Sequence, residues 1–284
     1  MKLPVSARYS WEQTVSMLRR DPAAREMIFQ AYLTEDLNEN CRRFAGGAEF
    51  AETLRVLRDH APESRTLLDM PGGNGVATVA LASAGYIVTA VEPDPSESVG
   101  RGAINATLQQ RKLDAAVVNA YGEDLPFTDS SFDIAYVRQG LHHARELRTM
   151  LAELARVLRP GGLLLAVREH VVDNYGRSLR AFLSSQIDHE LYGGENAFTL
   201  SDYRAAFSAA NLLKIEEWGP YDSTINMYPF DEVSLREKIL ASRPGRLLSV
   251  IFPAEWNCRL GLWWLKRSKA PGRLYSFLYR KPSC

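Results

Sequence analysis

The chain has few of the features that anchor or cross-link a protein. Its three cysteines, Cys41, Cys258 and Cys284, are odd in number and widely separated. That excludes a disulfide frame and any closely spaced cysteine zinc site, so they read as reduced thiols of a cytoplasmic protein. No apolar run is long enough to span a bilayer, and the opening MKLPVSARYSWEQ lacks the apolar core of a signal peptide. Net charge is lacking too. The 34 lysines and arginines balance 34 aspartates and glutamates, so bulk electrostatic attachment to nucleic acid is not expected. There is no internal repeat and no low-complexity stretch. What is present is 46% hydrophobic residues over 284 positions, enough for one large domain with an added cap.

Two rhythms divide the chain. In residues 1–60, Trp11, Thr14, Val15 and Leu18, then Phe50, Leu54 and Leu57, recur at helical spacing. Asp21-Pro22 is an N-cap followed by proline at the first helical position. This segment reads as an N-terminal helical cap on a core spanning 61–284. From Thr66, short apolar runs (TLLDM, YIVTAVEP, DAAVVNA, SFDIAYV, LLLAVREH) alternate with helical stretches. Two of these are GVATVALASAG and SESVGRGAINATLQQ; a third runs through Leu147, Leu151, Leu154 and Leu158 to a stop at Pro160-Gly161-Gly162. Such alternation implies right-handed crossovers and a parallel, doubly wound α/β sheet. Farther on, GRSLRAFLSSQIDHELYGGENAF reads as a helix and a glycine turn, Thr199 and Asp202 as a capping box, and LLKIEEWG and RLYSFLYRK as strands. Insertions of about 172–200 and 220–270 follow the fifth and sixth strands.

In an open parallel sheet, ligands bind beyond the carboxyl ends of the strands, which draws attention to LLDMPGGNG, residues 67–75. Gly73 and Gly75 fit the first two places of a dinucleotide-binding turn, but Thr78 stands in the third. Asp69 ends the strand ahead of the turn, where a carboxylate would repel a pyrophosphate and suit a cationic ligand with an amino group. Glu92 ends the second strand, placed to accept hydrogen bonds from ribose hydroxyls. The site asks for a nucleoside, a positive charge and no phosphate. S-adenosylmethionine meets all three conditions, and an NAD enzyme is disfavoured.

Residues 65–170 resemble a class I S-adenosylmethionine-dependent methyltransferase of the broad group that includes the ubiquinone and menaquinone methylases. LLDMPGGNG resembles the first motif of that family, AVEPDPS the second, and GEDLPFTDSSFDIAYVRQGLHH the third and fourth; LAELARVLRPGGLLLAV is similar to the helix, turn and strand that follow. The resemblance implies a Rossmann-like sheet of seven strands, the last antiparallel. It also implies that Asp69 lies near the methionine amino group, with Gly73 and Gly75 along its backbone. Glu92 and Pro93 then fall at the ribose, Gly122 and Glu123 beside the adenine, and His142 at the methionine end. This sequence departs from the pattern at Pro71, where many members have the first glycine, and at Tyr121, where an aspartate often contacts the adenine.

An alcohol acceptor benefits from a general base, and histidine titrates near neutrality. His143, just after the fourth strand, and Glu169 and His170, ending the fifth, are the candidates. HELYGGENAF, with His189, Tyr192, Glu195 and Asn196, reads as a substrate loop. It shows no metal-ligand spacing, and no metal is expected. Arg138 reads as half of a structural ion pair. Tyr221, Tyr228, Trp256, Trp263 and Trp264, beside Lys266, Arg267 and Lys269, suit a lid, a sugar platform, a peripheral membrane contact or a small satellite core. The expected activity is methyl transfer to a small-molecule or sugar-containing acceptor, at oxygen, by a monomer or homodimer. N- or C-methylation of a secondary metabolite, or catalytically silent cofactor binding, are the alternatives.

Overall fold

The computed structural model describes residues 8–283; the expected thiol at Cys284 lies outside them. Four helices precede the first strand: α1 (Trp11–Arg20), α2 (Arg25–Gln30), α3 (Leu37–Ala45) and α4 (Ala48–His60). Ser10 and Gln13 form a reciprocal capping box at α1, satisfying donors that a helix start leaves unpaired. Asp21 caps the short turn of Pro22–Ala24 that leads into α2. The alternating core follows as β1 (Thr66–Asp69), α5 (Val76–Ser83), β2 (Ile87–Val91), α6 (Arg101–Arg111), β3 (Ala115–Val118), β4 (Phe132–Arg138), α7 (Leu147–Val157) and β5 (Leu158–Val172). The remainder comprises α8 (Arg177–Leu183), α9 (Ile187–Leu191), β6 (Phe198–Thr199), α10 (Leu200–Ala209), β7 (Leu213–Trp218), α11 (Glu232–Ala241), α12 (Arg243–Leu248), α13 (Ala254–Lys266) and β8 (Arg273–Arg280).

The sheet runs β3-β2-β1-β4-β5-β8-β7. Its pairs are parallel from β3 to β5, while β8 lies antiparallel between β5 and β7. The main path thus has the seven strands expected, with the last one antiparallel. An eighth, β6, pairs with Val171 and Val172 of β5. It arises because Thr199, the N-cap of α10, is extended (φ −76°, ψ 155°) and its hydroxyl accepts from Asp202 N–H; two residues are too few to leave a strand signature in sequence.

Three other boundaries differ from expectation. Helix α6 starts only at Arg101, because 94–100 closes on itself: Ser96 N–H donates to Asp94 Oδ1, and Arg101 N–H to the Asp94 carbonyl. The stretch 177–191 is two short helices rather than one, broken at 184–186. Pro160 to Gly162 lie inside β5 as a bulge, between the Phe132–Leu158 and Ile134–Leu163 pairs.

Both faces of the sheet are covered. One core joins Leu68, Leu151, Leu154, Leu164, Phe207 and Phe277; the other joins Phe44, Leu57, Leu67, Val79, Ile104 and Leu165 and takes in α3 and α4. Glu49 of α4 is buried, its carboxylate 2.6 Å from Arg138 Nε at the end of β4 and 3.7 Å from Arg168 Nε in β5. Arg138 is therefore the ion-pair partner expected, and it ties the leading helices to the sheet. Helices α11 and α13 enclose a satellite core of Met227, Leu235 and Ile239, packed by Leu262 and Leu265.

Topology decides where the loops lie. Strands β1 to β5 and β7 point the same way, so the turns after β1, β2 and β4 gather at one edge with the stretches 173–197 and 219–272. The second stretch leaves from the end of β7 and returns into β8 at that same edge.

Candidate active site

The glycine turn is built by its neighbours. Gly73 and Gly75 have φ of +54° and +90°, values that glycine adopts without a Cβ penalty. A Cβ on Gly75 would also lie 3.2 Å from the backbone of Ile104, so α6 packs directly on the turn. Beside it, Asp69 is fully buried at the end of β1. Its Oδ2 accepts the Thr78 hydroxyl at 2.6 Å, while Oδ1 has no hydrogen-bond partner. Thr78, the residue that spoils the dinucleotide pattern, is thus the donor that orients this carboxylate. Burial raises the Asp69 carboxyl to about 7, against the Thr78 bond.

Glu92, buried at the end of β2, accepts from Gly73 N–H at 2.7 Å and from Asp94 N–H at 2.9 Å. Burial raises it to about 7 as well, against those two bonds. One carboxylate thereby cradles the glycine turn and the loop after β2, where Pro93 sits half-buried. Gly122 is enclosed, since a Cβ there would meet Met150 and Met70 at 2.6–2.9 Å. Glu123 accepts from Arg145 N–H at 2.7 Å, and the exposed Tyr121 ring lies under the Arg145 guanidinium at 4.8 Å.

The acceptor-side candidates fall into one cluster. His142 follows β4 and is buried; its Nδ1 is 2.7 Å from Oε2 of the fully buried Glu169. Glu169 also accepts from Gly140 and His142 N–H, each at 3.0 Å. Burial holds the His142 ring neutral, well below the usual histidine range. Glu169 therefore orients His142 rather than facing open space. The His143 ring, 40% exposed, lies 4.2 Å from that of His142, and its Nδ1 is 3.0 Å from the Gly194 carbonyl. His170 packs 4.7 Å from His142 with Nδ1 at 2.8 Å from the Gly272 carbonyl; burial pushes it down to about 3.

The loop after α9 closes over these rings. Glu195 lies 3.7 Å from His142 Nε2 and 3.8 Å from His143 Nε2, and burial raises it to about 7. His189 is buried within α9, and Asn196 is half-buried in the loop that follows. The Tyr192 ring lies 5.7 Å from that of Trp11 of α1, tilted by 49°; burial and the nearby Asp94 and Glu92 carboxylates raise its phenol. Tyr192 therefore lies near the Glu92 turn while Glu195, three residues on, meets the histidines. Asp188, whose carboxyl burial raises against its bond from His189 N–H, was not expected here. Its only signal in the sequence is adjacency to His189.

Residues 68–166 match the methyltransferase domain family. That segment of the chain is a methyltransferase domain. Among similar proteins are an uncharacterized methyltransferase of Mycobacterium avium, 34% identical over 51% of this chain and 57% of its own length, and the demethylmenaquinone methyltransferase of Corynebacterium urealyticum, 30% identical over 52% and 60%. The chain thus spans under two thirds of these curated relatives. Among solved structures, geranyl diphosphate methyltransferase in complex with S-adenosylmethionine superposes with a TM-score of 0.57 at 17% identity, covering 94% of both chains. A Galdieria sulphuraria protein described as a putative sarcosine dimethylglycine methyltransferase gives 0.57 at 15%, covering 93% and 99%. These last two share this chain's fold beyond the matched segment.

Proposed function

We propose that the chain is an S-adenosylmethionine-dependent methyltransferase that acts on an oxygen of a small-molecule acceptor. The observation that carries this reading is the buried Asp69 with one oxygen unpartnered at the glycine turn. An unsatisfied buried acceptor is costly, and the ammonium group of a methionine moiety would satisfy it. Glu92 and Pro93 would take the ribose, Gly73 and Gly75 let the ligand approach the backbone, and Gly122 and Glu123 flank the base. The carboxylate pair favours a cationic nucleoside over a dinucleotide.

When bound, S-adenosylmethionine supplies an electrophilic methyl group on a sulfonium sulfur. The protein's part is to align the acceptor and keep water out. His142, His143, His170, Glu169 and Glu195 would form the acceptor side, with His189 of α9 and Tyr192 and Asn196 of the loop after it alongside. Small-molecule acceptors are favoured because similar proteins are named for geranyl diphosphate and demethylmenaquinone, and because the chain carries no net positive charge. Calorimetry tests the cofactor: S-adenosylmethionine and S-adenosylhomocysteine should bind and NAD should not. His143→Ala should lower turnover at least about tenfold with cofactor affinity unchanged, as for a group serving the acceptor. Binding of NAD alone overturns the cofactor; an equal loss of cofactor affinity in His143→Ala overturns that division of roles.

No helix among the described residues is long and apolar enough to cross a membrane. Contact with a membrane surface is another matter. Residues 232–272 hold eight basic and three acidic residues in a chain whose charges balance only as a whole. They expose Leu247, Val250, Ile251, Trp256 and Trp264, Val250 to 85%. Apolar side chains flanked by cations suit an anionic bilayer surface. Beneath that face lies a cavity of about 990 Å³ lined by Ile239, Leu248, Leu260, Trp263 and Trp264. Sedimentation with phosphatidylglycerol vesicles should carry the protein down at low salt, and phosphatidylcholine should not. The combined Val250→Asp and Ile251→Asp change should abolish it; unchanged sedimentation of that variant refutes the contact.

A further inference from the structure

The geometry points to a divalent transition-metal site formed by His142, His143 and Glu195, with zinc as the ion that suits it. Resting on the reading above, the inference adds to it a metal at the acceptor side. The three side chains come from two segments 52 residues apart, and their ligand-type atoms all lie within 4.8 Å of one another.

The tautomers decide what these atoms can do. The Gly194 carbonyl can only accept, so His143 Nδ1, 3.0 Å away, must carry its hydrogen. Nδ1 of His142 faces the Glu169 carboxylate at 2.7 Å, and two backbone N–H groups donate to that same carboxylate. It therefore accepts from His142 too. In the neutral rings both Nε2 atoms are bare lone pairs, and both face Glu195. Oε2 of Glu195 is buried without a hydrogen-bond partner. Two lone pairs and a carboxylate thus converge with no donor among them, an arrangement that a cation satisfies and that a proton shared with one ring satisfies only in part.

The dimensions agree. Two ligands each about 2.1 Å from a tetrahedral ion lie about 3.4 Å apart; here His142 Nε2 is 3.7 Å from Glu195 Oε2, His143 Nε2 is 3.8 Å from Oε1, and the three ligand atoms lie within 4.8 Å of one another. Binding an ion would draw the two rings and the Glu195 loop inward together. A histidine ligand whose far nitrogen donates to a carboxylate is the usual support of such sites, and Glu169 provides it. Two histidines and one glutamate leave a coordination position open. The 40% exposure of the His143 side chain gives that position access to solvent and to an acceptor oxygen.

The test uses the full chain stripped with chelator and titrated with cobalt(II), then with zinc. One cobalt per chain should give the visible bands of a four- or five-coordinate ion, and zinc should bleach them. His143→Ala and Glu195→Gln should each weaken zinc binding at least about tenfold, while melting of the metal-free variants shows that they are folded. S-adenosylmethionine binding is measured on the same samples. Intact cofactor binding with no cobalt spectrum, or with cobalt unaffected by both substitutions, overturns the metal site alone. A cobalt spectrum that both substitutions abolish, without cofactor binding, sustains the metal site and overturns the methyltransferase reading.

Discussion

Asp69→Ala is expected to weaken S-adenosylmethionine binding by roughly 10- to 150-fold, the equivalent of about 1.5–3 kcal/mol for one charge-assisted hydrogen bond. The substitution also strands the Thr78 hydroxyl, which donates to Asp69 at 2.6 Å. Asp69→Asn is therefore the cleaner probe, since it keeps an acceptor for Thr78 and removes the charge. The effect should depend on pH. Burial raises both Asp69 and Glu92 to about 7, above their ordinary carboxyl range in an unfolded chain. The ligand-free folded protein then binds more protons than the unfolded chain between about pH 4 and 7, so its stability falls as pH rises through that window. Cofactor affinity moves the opposite way, rising toward pH 7 as the carboxylates ionise and levelling above it. Titration calorimetry from pH 5.5 to 8 checks the affinity and denaturant unfolding over the same range checks the stability; affinity independent of pH and of Asp69 would remove this carboxylate from the site.

Glu49→Ala should cost about 3–5 kcal/mol of folding free energy, the penalty for leaving a buried charge without its partner. Here two cations are left. Arg138 donates to both Glu49 oxygens, at 2.6 and 3.1 Å, and Arg168 Nε has Glu49 as its nearest carboxylate at 3.7 Å. Arg168 keeps its bonds to the carbonyls of Ile225 and Tyr228, so the loss falls mainly on Arg138. Denaturant unfolding measures it, and Glu49→Gln should fall between wild type and alanine. A change under about 1 kcal/mol would mean that water replaces the carboxylate and that the leading helices are held by apolar contacts alone.

The parallel strands were legible because both their faces are buried, which makes them continuous apolar runs; β1, β2, β4 and β5 emerge where TLLDM, YIVTAVEP, SFDIAYV and LLLAVREH stand. Asp69 and Glu92 could be found because each ends such a run. Glu49 could not. It reads as an ordinary acid in the first turn of a helix, and its partner Arg138 is 89 residues away. The histidine cluster was half legible: GLHH marked one side, but the convergence of Glu195 on both rings depends on a loop whose path no local pattern encodes. For the same reason, ligand spacing along the chain gave no hint of the metal site. The division of the chain at residue 60 is proposed as one of sequence rhythm, since α4 shares a core with β1 and β5.

The position of β8 has a consequence for the nascent protein. Because it lies between β5 and β7, the sheet stays open at its middle until residues 273–280 have left the ribosome. Until then β5, whose Leu163 to Val167 are all buried in the finished fold, has one bare edge of unpaired backbone groups. Exposed apolar edges recruit other strands, and domains caught in this state during synthesis are prone to aggregate. A pause in translation just before Arg273 would therefore leave β5 and β7 made with the gap between them unfilled.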